Sequence, residues 1–91
     1  MKEKRILLSE SMFNNLCKMG YYTAAENNSK NDLYFTKEDV NLLVTGKVVE
    51  KDASYNQTKW LFMLQDIGID LINEILKRSP IFSDLVGNFL N

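Results

Sequence analysis

The sequence contains no histidine and a single cysteine. Without histidine the chain lacks the usual general base at neutral pH and the commonest metal ligand. One thiol can form neither an intrachain disulfide nor a thiolate zinc site. Cys17 falls at helical spacing with Phe13 and Leu16, which reads as a buried structural thiol; a nucleophile needs an electropositive, partly exposed setting. The four glycines are isolated, so neither a phosphate loop nor a dinucleotide fingerprint can be built, and no DxDxDG pattern marks a calcium loop. The expectation is a chain with no cofactor, no metal and no catalytic residues.

Long hydrophobic runs are missing too. The longest apolar stretch, Trp60 to Leu76, is broken by Gln65, Asp66 and Asp70. A membrane-spanning helix would carry those charges at high cost. Behind Lys2, Lys4 and Arg5 stand only Ile6, Leu7 and Leu8, too few for a signal-peptide apolar region. With the lone thiol, this points to the reducing cytoplasm and to no membrane partner.

Excess charge of either sign is also lacking. Eleven basic and twelve acidic residues leave a formal net charge of −1. A non-specific nucleic-acid binder draws its affinity from neutralised phosphates, so nucleic acid is the less favoured partner. The small clusters Lys2/Lys4/Arg5 and Lys77/Arg78 read as solubilising ends, and Lys77/Arg78 also suits a helix C-terminus. Only two of the eleven basic residues are arginine, while asparagine occurs ten times. That bias suggests an AT-rich coding sequence, as in a low-GC bacterium or its phages.

What is present is one small domain, residues 1–91, with 45% apolar and 25% charged residues, ordinary for a globular protein. A chain this short buries a modest share of its surface. A homo-oligomer would supply further burial.

Residues 4–8 read as a strand. Ser9 then caps a helix with the apolar stripe Met12, Phe13, Leu16 and Cys17, and Gly20 follows as the left-handed residue past its end. Residues 21–25 make a second strand, 26–32 a polar loop, and 33–35 a third strand. Thr36 with Asp39 fits a capping box for a helix over 37–45 that buries Val40, Leu43 and Val44 and stops at Gly46. Residues 47–51 are a further strand. The two segments RILLSESMFNNLCKMGYY and DLYFTKEDVNLLVTGKVV both run strand, cap, helix, glycine, strand. An ancient duplication explains this less well than the generic character of such motifs.

Residues 58–78 carry the organising signal. At about 100° per residue, Lys59, Asp66, Asp70, Asn73, Glu74 and Lys77 share one face, and Trp60, Leu61, Leu64, Ile67, Gly68, Leu71, Ile72, Ile75 and Leu76 the other. The pattern predicts one long helix, capped by Thr58 or Asn56 and ended at Ser79-Pro80. Gly68 then sits mid-helix and calls for close approach of a neighbour, or for a kink. Phe62 and Met63 break the pattern. A strand over 59–64 is the competing reading, and it leaves both faces apolar. Ile81, Phe82, Leu85, Val86, Phe89 and Leu90 predict a final amphipathic helix. The expected fold class is α+β, a small mostly antiparallel sheet with helices packed on one face, in the order β-α-β-β-α-β-α-α.

For function, the negative chemistry and near-neutral charge favour a non-enzymatic protein-binding module. It would be a small regulator, inhibitor or assembly subunit, with a phage or mobile-element inhibitor as one instance. Phe62, Met63, Tyr21, Tyr22 and Tyr55 are the expected contacts, because large amphipathic side chains dominate interface energies. A nucleic-acid-binding regulator is the alternative, using the helix at 37–45 or 10–19 with Lys18, Lys37 and Lys47. Tyr21, Tyr22, Tyr34, Tyr55 and Trp60 could stack bases, although tyrosine is equally at home in half-buried strands. A third reading, a weak metal-dependent enzyme, rests on Asp66, Asp70 and Glu74 at i, i+4, i+8. A solvated helix face explains those residues more simply.

Overall fold

A computed structural model describes residues 2–23, 32–53 and 58–79. The order is β1 (Lys2–Leu8), α1 (Glu10–Met19), β2 (Tyr21–Thr23), β3 (Asp32–Tyr34), α2 (Lys37–Val44), β4 (Val49–Ala53), β5 (Thr58–Leu64) and α3 (Ile69–Arg78). Among the described residues three helices accompany a three-stranded mixed sheet, β1-β5-β4, and a small antiparallel pair, β2-β3. The α+β class stands. The expected antiparallel character holds for β4-β5 and β2-β3 only, since β1 runs parallel to β5.

The first two helices start as their sequences dictate. Ser9 has extended backbone angles, and its Oγ accepts the Met12 N–H at 3.4 Å. Met12 takes the place of the usual glutamate and returns a weak contact, its Sδ accepting the Ser9 N–H at 3.5 Å. At α2 the box is complete: Thr36 Oγ1 accepts the Asp39 N–H at 3.2 Å, and Asp39 Oδ2 accepts the Thr36 N–H at 2.9 Å. Each bond satisfies a donor that has no partner within the helix. Gly20 ends α1 at φ 76°, its N–H donating to the Leu16 carbonyl at 2.8 Å.

The expected long helix is two elements. Residues 58–64 form the central strand of the sheet, and the helix begins only at Ile69. Phe62 pairs with Ile6 of β1 on one side and Val49 of β4 on the other. This central strand is apolar on both faces, which is why Phe62 and Met63 broke the helical pattern. Gly68 is not mid-helix. It precedes α3 with φ 83° and ψ 146°, and nothing lies within 4 Å of where a Cβ would stand. The glycine serves the turn from strand to helix, with neither a close approach nor a kink.

One core unites the elements. Phe13, Leu16 and Cys17 of α1, Val40 and Leu43 of α2, and Ile72, Ile75 and Leu76 of α3 cluster with Leu8, Val49, Trp60 and Phe62 of the sheet. Phe62 lies at its centre, edge-on to Phe35 at 4.8 Å and to Tyr22 at 5.3 Å, and stacked with Trp60 at 6.3 Å between ring centroids. Ser79 Oγ donates to the Cys17 carbonyl and so ties the end of α3 to the last turn of α1. Ser79 has the extended backbone required of a residue before proline. The two similar β-α-β segments take unlike places: β1 pairs with β5, whereas its counterpart β3 pairs with β2. The expected helix over 81–90 lies outside the described residues.

Candidate protein-binding surfaces

The expected contact residues are scattered by the fold. Phe62 is fully buried at the core centre and presents no surface, so it is withdrawn as a contact. Met63, its neighbour in β5, points to the opposite face and is 37% exposed. Strand alternation separates them. Tyr21 is exposed on β2, whereas Tyr22 turns inward against Phe62. Tyr55 lies outside the described residues. Tyr34 pairs with Tyr21 across β2-β3, and Tyr22 pairs with Leu33. The face that carries Tyr34 therefore carries Tyr21, and Tyr22 lies on the other.

Two apolar surfaces result. The first is built on α1 and the β2-β3 pair. Met12, Asn15, Leu16 and Met19 follow one flank of α1 and, with Tyr21 and Tyr22, line a cavity of about 240 Å³. Met19 and Tyr21 of this lining are exposed, and Tyr34, across the strand pair from Tyr21, is exposed by 63%. The small antiparallel pair is what holds these rings out. Leu33 and Tyr22 face the core, so Tyr34 and Tyr21 beside them in the chain must face away.

The second surface is the side of the three-stranded sheet opposite the core. Leu7, Val48, Leu61 and Met63, with Arg5 and Ile6, line a cavity of about 280 Å³. Leu61 is nearly buried yet stands outside the core cluster. Sequence reasoning missed Leu7 and Val48. The signal was available in Ile6-Leu7-Leu8: within a strand, one of three consecutive apolar residues faces away from the other two.

The charged candidates carry less. Asp66 lies in the β5–α3 connection, outside the helix, so the expected i, i+4, i+8 ladder is broken. Among the described residues no group of three acidic, cysteine or histidine side chains could hold a metal ion. Burial pushes the Cys17 thiol up to about 12, which suppresses its nucleophilic form at neutral pH. Burial alone would also push Asp39 up. The hydrogen bond from the Lys51 ammonium and the Thr36 backbone N–H outweigh it and hold the carboxyl below its ordinary value. That pair is structural, with Lys51 also 5.2 Å above the Phe35 ring.

Among the described residues no helix is long and apolar enough to cross a membrane. The chain matches no protein-family model, no curated protein and no solved structure.

Proposed function

We propose that this chain is a small non-enzymatic protein-binding module that acts by occupying the surface of a partner protein, as a regulator, inhibitor or assembly subunit. The observation that carries this reading is the exposed Tyr21–Tyr34 cross-strand pair, whose Tyr21 lines the α1–β2 cavity together with the exposed Met19. Tyrosine and methionine are enriched where interfaces concentrate their energy, and tyrosine loses little conformational freedom on binding. The lone buried thiol fits the cytoplasm. The amino-acid bias fits a low-GC bacterium or one of its phages.

The test is a tagged pull-down from native host lysate treated with nuclease, run with the wild type and with Tyr21→Ser/Tyr34→Ser. A stoichiometric protein captured by the wild type and lost by the double variant, at unchanged melting temperature, supports the reading. Capture that ignores the double variant removes this surface from the proposal. Recovery of nucleic acid alone, with steep salt dependence, would favour a nucleic-acid-binding regulator instead.

A further inference from the structure

The outer face of the three-stranded sheet has an order that its registers make explicit. Leu7 lies across from Met63, and Val48 precedes the residue paired with Phe62, so Leu7, Met63 and Val48 form one apolar row. The next row is Arg5, Leu61, Glu50: positive, apolar, negative. The third is Glu3, Lys59, Asp52: negative, positive, negative. All helical residues in the core cluster lie with the opposite face of this sheet. Leu7 is 63% exposed and Val48 42%. Arg5 approaches Glu3 only at 3.7 Å, with both side chains mostly in solvent. Such a pair is weak, so the guanidinium is easily recruited elsewhere.

We propose that this face binds a second copy of the same chain, sheet against sheet. The charge order selects that occupant. A two-fold axis midway between the faces, along the mean direction of β5 and its equivalent, carries β1 of one copy over β4 of the other. Leu7 then meets the partner's Val48, and Met63 and Leu61 meet their own equivalents. Arg5 lies opposite the partner's Glu50, twice by symmetry. An isologous interface needs such a self-complementary surface, in which each residue type finds its complement on an identical copy.

Squarely superposed, the third row would set Lys59 against the partner's Lys59 and Glu3 against the partner's Asp52, and the crossing of the sheets avoids this. Aligned sheets cross at about 30°. With the crossing point between the Met63 and Leu61 rows, the third row lies about 10 Å away along the strand and is displaced by about 5 Å, roughly one strand spacing, while the first two rows move by less than about 2 Å. Lys59 has an acidic neighbour on either side, so displacement in either direction places it against the partner's Glu3 or Asp52. The face is only three strands wide. Its buried area is therefore below the roughly 1,200–2,000 Å² of standard stable interfaces, and the dimer is weak and concentration-dependent.

The experiment is sedimentation velocity on the full chain over micromolar to millimolar concentrations. The wild type should move from monomer toward dimer. Arg5→Glu alone and Glu50→Arg alone should each weaken association by about tenfold or more, the loss expected for breaking a charge pair across an interface. An equimolar mixture of the two variants should associate again, because the glutamate at 5 in one meets the arginine at 50 in the other. That restoration needs both variants folded and cannot arise from damage to either. A wild type that stays monomeric at every concentration overturns the proposal. So does an equimolar mixture no tighter than its components. A concentration-independent nuclear Overhauser contact from the Met63 methyl to residues 80–91 also overturns it, by assigning the face to the chain's own C-terminal residues.

Discussion

The Lys51 ammonium reaches Asp39 Oδ2 at 2.6 Å, and that same oxygen accepts the Thr36 backbone N–H at 2.9 Å. One carboxylate thus closes the capping box of α2 and fastens that helix to β4. Residue 51 also lies across from Trp60, so the pair anchors the helix to the middle of the sheet.

This carboxylate gives stability its acid dependence. Its native pKa is below the unfolded value of about 3.9, so the unfolded chain binds the proton more readily. The contribution is complete at neutral pH and is lost as pH falls through the native pKa. Asp39→Asn should cost about 1–2 kcal/mol at neutral pH, through the weakened cap and the unpaired Lys51. The difference from wild type should shrink toward zero in acid. Urea titrations of both proteins across the acid range check this, and a constant difference would refute the role.

Cys17 acts at the other end of the pH scale. Its native value of about 12 stands above an unfolded value of about 8.5, so between them the native state holds the extra proton. Stability is therefore full below the unfolded value and falls as pH rises toward the native one. The fall should be smaller in Cys17→Ala. The native thiol should also resist alkylation at neutral pH and react promptly once urea unfolds the chain. Prompt alkylation of the folded protein would refute the burial assigned here.

Gly68 holds a backbone conformation that side chains oppose, although nothing crowds its missing Cβ. Gly68→Ala should therefore destabilise through backbone strain alone, by about 1–3 kcal/mol. In a domain this size each 1 kcal/mol lowers the melting temperature by about 4–8 °C. Calorimetry reads the shift. An unchanged melting temperature would mean that the β5–α3 turn relaxes without cost.

Adjacent residues of β5 should behave in opposite ways. Phe62→Ala removes the ring that contacts Phe35, Tyr22 and Trp60, at a cost of about 3–5 kcal/mol. That is a large part of the stability of a small domain. Met63→Lys lies on the outer face and should change stability by less than about 1 kcal/mol while it disrupts association. Chemical denaturation separates the two. Comparable losses would place both side chains in the core.

Much of the fold could be read from local patterns. Ser9 and Thr36 with Asp39 marked helix starts because a cap bonds within three or four residues. Gly20 marked an end for the same local reason. The stripe Phe13, Leu16, Cys17 showed what α1 buries. Trp60 to Leu64 could not be read this way: Trp60 and Leu64 fit the helix stripe, Phe62 and Met63 break it, and a strand there carries apolar residues on both faces. Of the expected contacts, Met63 and Tyr21 lie on surfaces, while Phe62 and Tyr22 turned inward through pairings the sequence does not display.

The sequence by itself determined that these 91 residues hold no imidazole and no pair of cysteines, and it marked the α+β character and the caps and stops of α1 and α2. These depend on residue type and on bonds between near neighbours. Tertiary structure decided the rest. It made residues 58–64 the centre of a mixed sheet, because β1 and β4 supply the backbone partners that a lone helix would have supplied internally. It brought Tyr21 beside Tyr34, and it set Arg5 and Glu50 on either side of Leu61. Pairing between distant strands fixes register, and register alone settles which side chains share a face.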